Sequence, residues 1–242
     1  MHNRICIFSI PRSGSTYLCD VIRTYVAPIT LDMNHSKDGR SFGHEPFLPA
    51  DTPPESIGSV IDEFNNLSTF AMKMQFNEIE HLFNNRFLDN FKSLNTYNIL
   101  LLRRDVFEAA LSLSVAIAKN EFINFRNFDE IIIDQDMLRY MIDFLLAGYN
   151  QLVNNVWNLT YNEIIYYENL VFIPKQDFEN TQLYKSSPSV IQDCILDKCK
   201  YKAPSKELTV KNYRDLKNIA VNYLSQIKIT GIQFEGTCVE IL

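Results

Sequence analysis

Apolar residues recur along this chain in two rhythms. Ile5-Cys6-Ile7-Phe8-Ser9-Ile10 is a near-continuous run of β-branched, aromatic and small residues, the pattern of a buried parallel strand. Beyond a turn at Pro11–Thr16, apolar side chains at Tyr17, Leu18, Val21, Ile22 and Tyr25 keep helical spacing, so a helix is predicted that stops near Ala27-Pro28. Ser56–Asn66 predicts a short helix with Ile57, Val60, Ile61 and Phe64 on one side and Ser56 as its cap. Thr69–Gln75 reads as a second strand, and Phe76–Leu94 as a helix or helix pair with Ile79, Leu82, Phe83, Phe87, Leu88 and Phe91 inward. A third apolar strand, Tyr97–Leu102, runs into a helix with Asp105 as N-cap. Asp136–Trp157 predicts a long helix with Gly148 as a flaw or a close-contact point. Ser186–Lys200 suggests another helix. Strands alternating with helices predict an α/β fold with a parallel sheet.

Composition narrows the class. With 242 residues, 46% of them hydrophobic and 12% aromatic, one domain with a full core is expected over 1–242, without repeat or linker. A net charge of −6 and a pI near 5.3 exclude a general nucleic-acid footprint, so any anion site must be local. The five cysteines are an odd set without metal-ligand spacing, and Cys6 and Cys19 sit on apolar faces. Buried thiols in a reducing cytoplasm are the expectation. No run nears the roughly 18 apolar residues of a membrane span, and no secretory leader is read.

The turn at Pro11–Thr16 carries the first candidate chemistry. A strand feeding a helix through a Gly/Ser turn aims unpaired backbone N–H groups and the positive helix end at one spot. Gly14 permits close approach of the backbone to a ligand, Ser13, Ser15 and Thr16 add hydroxyls, and Arg12 supplies a charge that forks onto phosphate or sulfonate oxygens. A nucleotide-triphosphate loop would need a second glycine and a Lys before the helix-start Ser/Thr, so an ordinary ATPase is disfavoured.

Phe8-Ser9-Ile10-Pro11-Arg12-Ser13-Gly14-Ser15-Thr16-Tyr17-Leu18 resembles the 5′-phosphosulfate loop of sulfotransferases that use 3′-phosphoadenosine 5′-phosphosulfate (PAPS). The resemblance is closest in style to bacterial carbohydrate sulfotransferases; the Gly-x-x-Gly-x-x-Lys segment of cytosolic eukaryotic members is missing. It implies a parallel-sheet three-layer αβα sandwich with P-loop-NTPase-like topology. In that family an Arg at the end of a later strand and a Ser eight residues on bind the 3′-phosphate; Arg104 and Ser112 have that spacing, with Arg103 as an alternative to Arg104. The family's catalytic Glu, in a short Glu-Pro or Glu-aromatic stretch, is matched by Glu45 of Gly43-His44-Glu45-Pro46-Phe47, with His44 as the second choice. A basic C-terminal segment over the 3′-phosphate would draw on Lys202 and Lys206; Asn162–Leu170 resembles the family's strand that ends in Tyr-Glu-Asp/Asn-Leu, with Glu168 an anchor of structure, and Asn212-Tyr213-Arg214-Asp215-Leu216 resembles a helix start near the family's C-terminus. Lys73, inside an apolar strand, either snorkels to the strand end or touches substrate.

The function so implied is in-line transfer of a sulfuryl group from PAPS to a hydroxyl or amine of a carbohydrate or small molecule, leaving 3′,5′-ADP and using no metal. Arg12 would neutralise charge on the bridging oxygen, the amides from Ser13 to Thr16 would hold the 5′-phosphate, and Glu45 or His44 would take the acceptor proton. The rivals are a kinase or hydrolase with a degenerate phosphate loop, and a non-catalytic nucleotide-binding protein.

Overall fold

The computed structural model describes residues 4–16, 18–19, 46–47, 49, 52–120, 130–168, 210–226, 232–234 and 237–239. The first strand, β1 (Arg4–Ser9), is buried from Ile5 onward, as its unbroken apolar run requires. Helix α1 (Pro54–Asn65) follows, then β2 (Phe70–Gln75), α2 (Phe76–Asn84), the single-turn α3 (Leu88–Lys92), β3 (Tyr97–Leu102), α4 (Val106–Lys119), α5 (Gln135–Val153), β4 (Glu163–Tyr166) and α6 (Tyr213–Gln226). Two short strands, β5 (Ile232–Phe234) and β6 (Thr237–Val239), pair antiparallel in a separate sheet that the sequence pattern did not predict.

The main sheet has the order β2-β1-β3-β4, and all its pairings are parallel. Register decides which side chains share a face: Phe8 lies level with Met74 and Leu100, and Ile7 with Lys73 and Ile99. Cys6, Phe8, Met72, Met74, Leu100 and Leu102 belong to the main core together with the helices from α1 to α6. On the alternate register, Ile5, Ile7, Ile99, Leu101 and Ile165 are also buried. Both faces of an α/β sheet are thus covered.

The main core is aromatic at its centre. Phe8 meets Phe91 and Tyr161 edge-on at 6.2 and 5.7 Å, and Phe47 packs against Phe64 and Phe91 at 6.2 and 5.8 Å. Gly148 marks a close approach, since a Cβ there would lie 2.5 Å from the ring of Phe76. The Phe76 ring also sits 4.9 Å from Phe144, so α2 rests directly on α5.

Several boundaries depart from the pattern. Helix α1 begins two residues before Ser56 because Pro54 suits the first helical position, where its missing N–H costs nothing, and Pro53 takes the cap. The run after β2 resolves into two helices, and Phe83 stands 55% exposed rather than inward. Helix α5 starts at Gln135, where Asp134 accepts from Asp136 and Met137, and stops at Val153. The Asp105 cap is as expected, its side chain accepting from the Glu108 amide at 2.9 Å. The helices predicted at 186–200 and along most of 17–28 lie outside the described residues. Among the described residues no helix is long and apolar enough to cross a membrane.

Candidate anion site at the strand ends

Strand β1 delivers the chain, fully buried through Ile10, to the turn. Pro11 biases Ile10 to extended backbone. Arg12 has φ 62° and Gly14 φ 81°, and Ser13 between them is not in the positive region. Alternating signs of φ curl a backbone into a concavity lined with N–H groups, which receives an anion. Helical residues follow from Ser15, where Leu18 donates to the Gly14 carbonyl at 3.0 Å. Gly14 is required twice: its φ is costly for other residues, and a Cβ would lie 2.5 Å from the Tyr167 ring.

The hydroxyls divide their work. Ser13, fully buried, donates to the Ile10 carbonyl at 2.8 Å and braces the turn from within. Thr16 accepts from Lys73 Nζ at 2.7 Å and keeps its own hydrogen to donate. Lys73 is 7% exposed on β2, so its register with Ile7 aims an ammonium at the helix start instead of out to water. A single Lys within an apolar strand was the signal in the sequence; only the strand order shows where it reaches.

Strand β3 ends beside the same turn. Arg103 Nη1 donates to the Arg12 carbonyl at 2.8 Å, and its guanidinium lies 4.6 Å over the Tyr167 ring. The Arg103 main chain is held by Tyr149, whose hydroxyl accepts from its N–H at 2.6 Å and donates to its carbonyl. Burial raises the Tyr149 phenol well above the ordinary tyrosine range. Arg12 in turn donates from Nε to Ser112 Oγ at 3.0 Å across 100 residues of sequence. Ser112 is buried two turns into α4. Burial lowers the Arg12 pKa, and the charge of Arg103 lowers it further. A bound anion would relieve that repulsion.

Arg104 behaves differently from its neighbour. Exposed, it stacks 4.2 Å over Tyr166, while its amide and that of Asp105 donate to Glu168 Oε1 at 2.9 and 3.1 Å. Glu168 thereby ties the end of β4 to the start of α4. Two buried polar atoms here, Arg103 Nε and Glu168 Oε2, have no hydrogen-bond partner among the described residues. The first is a charge-bearing donor suited to a phosphate or sulfonate oxygen.

The structure therefore brings Arg12, Ser13, Gly14, Ser15, Thr16 and Ser112 to one edge and adds Lys73, Arg103, Tyr149 and Tyr167. Tyr167 could have been suspected from Tyr-Tyr-Glu at a strand end, whereas Tyr149 gave no signal within its helix. His44, Glu45, Lys202 and Lys206 lie outside the described residues. The chain is described again at Pro46-Phe47 and at Val210, which bridges Ile131; Tyr213 then bonds Glu108 of α4 at 2.6 Å. Among the described residues no group of His, Cys, Asp and Glu could hold a metal. No protein-family model and no curated protein matches this chain.

Proposed function

We propose that this protein is a PAPS-dependent sulfotransferase acting on a carbohydrate or small-molecule hydroxyl or amine. The observation that carries the reading is the Arg12–Ser112 bond, with Arg103 on the Arg12 carbonyl. Two motifs that resemble the 5′- and 3′-ends of one nucleotide site converge on one cationic edge. Ligands of parallel α/β sheets bind off the carboxyl ends of their strands, where these residues stand. A three-layer sandwich of P-loop-NTPase-like topology, forming one domain, goes with this reading; β1 within the sheet, running into an anion turn, supports it.

In this reaction the amides from Ser13 to Thr16 hold the 5′-phosphate. Arg12 meets charge growing on the bridging oxygen as the S–O bond breaks, and Lys73 adds a second positive charge through the Thr16 side. Ser112 and Arg103 receive the 3′-phosphate, with Arg104, exposed and stacked on Tyr166, at its margin. Glu45, with His44 as the alternative, takes the acceptor proton as the new S–O or S–N bond forms, and 3′,5′-ADP leaves. A cytoplasmic setting fits the buried thiols of Cys6 and Cys19.

Calorimetry tests the binding half. We expect 3′,5′-ADP to bind far more tightly than ATP with Mg²⁺; the reverse order would make the protein a kinase or hydrolase. Transfer of labelled sulfate to an acceptor tests the catalytic half. Nucleotide binding without any transfer would leave a non-catalytic nucleotide-binding protein.

A further inference from the structure

We propose that Tyr149 is a positioning residue for the nucleotide site: its hydroxyl clamps the main chain of Arg103 and so decides that Arg103, not Arg104, faces the anion turn. The inference rests on the sulfotransferase reading. The parallel pairing of β3 ends at Leu102, and the next amides are held by side chains instead of by a neighbouring strand. Tyr149 accepts from the Arg103 N–H at 2.6 Å and donates to the Arg103 carbonyl. Glu168 Oε1 accepts from the amides of Arg104 and Asp105 at 2.9 and 3.1 Å. Successive side chains of an extended backbone emerge on opposite sides, so fixing both main-chain groups of Arg103 fixes where each arginine points. Arg103 Nη1 accordingly reaches the Arg12 carbonyl at 2.8 Å, while Arg104 stands exposed over Tyr166.

Packing alone does not call for the hydroxyl. Tyr149 is 1% exposed late in α5, where a phenylalanine ring would fill the same space and a phenol must find partners. The partners it finds are the two main-chain groups of one arginine. Burial raises the phenol, so the hydrogen given to the Arg103 carbonyl stays in place. The depth of α5 is set next door: without a Cβ, Gly148 lets the helix close on the Phe76 ring. The head of Arg103 is held as firmly as its backbone, by the Arg12 carbonyl and by the Tyr167 ring 4.6 Å away, which itself crowds Gly14. Tyr149, Arg103, Arg12 and Ser112 thus form one bonded path from α5 across the strand ends to α4. Arg12 sits at φ 62°, and the Arg103 bond to its carbonyl steadies that backbone. An arginine fixed beforehand loses little freedom when an anion arrives, which is where a clamp of this kind raises affinity.

The test is a double-mutant cycle on the full chain, read by calorimetry with 3′,5′-ADP beside thermal unfolding. Tyr149→Phe removes the hydroxyl and keeps the ring. We expect it to weaken 3′,5′-ADP by about fivefold in the wild-type background and by less than about twofold once Arg103 is replaced by alanine. A purely structural loss would weaken binding by the same factor in both backgrounds, so equal factors would overturn the role of Tyr149, as would unchanged affinity in the folded single variant. Hydrogen exchange of the wild-type protein decides the matter if Tyr149→Phe does not fold. The Arg103 amide should be as protected as that of Leu101 before any nucleotide is added, and protection gained only with 3′,5′-ADP would overturn the clamp. Failure of the wild-type protein to bind 3′,5′-ADP would instead overturn the sulfotransferase reading.

Discussion

The turns after β1 and after β3 stand at one edge of the sheet, and each leads into a helix, yet they use their backbones in opposite ways. After β3 the chain's own carboxylates take the amides: Glu168 accepts from Arg104 and Asp105, and Asp105 accepts from Glu108. After β1 the curvature comes from positive φ at Arg12 and Gly14, and among the described residues no carboxylate accepts from Ser13 to Thr16. A turn capped by its own carboxylate can offer a ligand only side chains, here Arg103 and Ser112. A turn shaped by its dihedral angles can offer the main chain itself. On the proposed reading, one edge would thereby offer two chemically distinct anion subsites.

That contrast can be broken experimentally, beginning with the largest effect. Arg12→Met should cut sulfuryl transfer by about a thousandfold, the scale of losing a preorganised charge at the reacting centre; a rate within a few-fold of wild type would remove Arg12 from catalysis. Gly14→Ala should cost about 2–4 kcal/mol in a denaturant titration, because it combines a disfavoured φ with a collision on Tyr167. Binding of 3′,5′-ADP should be lost as well. The arginine pair then sharpens the β3 side. Arg103→Ala should weaken 3′,5′-ADP by about tenfold or more, while Arg104→Ala, at an exposed stacked position, should stay within about threefold. Equal effects in calorimetry would contradict the division of labour seen here.

A smaller effect concerns pH. Tyr97, pushed from 10.0 to about 12 by burial and by Glu163, is protonated more firmly in the folded chain than in the unfolded one. Burial raises Tyr149 and Tyr161 in the same direction. Stability from these phenols should be constant below pH 10 and fall as pH rises through about 12, visible as a dropping urea midpoint. The smallest effect is on Cys6, whose thiol is raised by burial, by Glu78 and by Cys19. It should react with an alkylating reagent only when the protein unfolds, and rapid labelling of the native chain would show that β1 opens.

Much of the fold was legible because local patterns dominate it. Three strands of the main sheet and the helices between them follow from apolar runs and helical spacing, the fourth came with the family resemblance, and the Asp105 cap follows from one side chain next to its own backbone. The hairpin of β5 and β6 was missed; with three residues per strand, it is too short for a period to register. Phe83 was misassigned because an aromatic residue on a helix carries no mark of which neighbours the helix will have.

For the site, the strand, Gly/Ser turn and helix start from Ile5 to Thr16 were legible because they are contiguous and need nothing distant to form. Which arginine turns toward it, and that Lys73 reaches Thr16, were decided only when β2, β1 and β3 lay side by side. Local geometry follows from neighbours in sequence. A buried charge, by contrast, takes its role from whichever partner the packing brings within about 3 Å, and that partner is written nowhere near it along the chain.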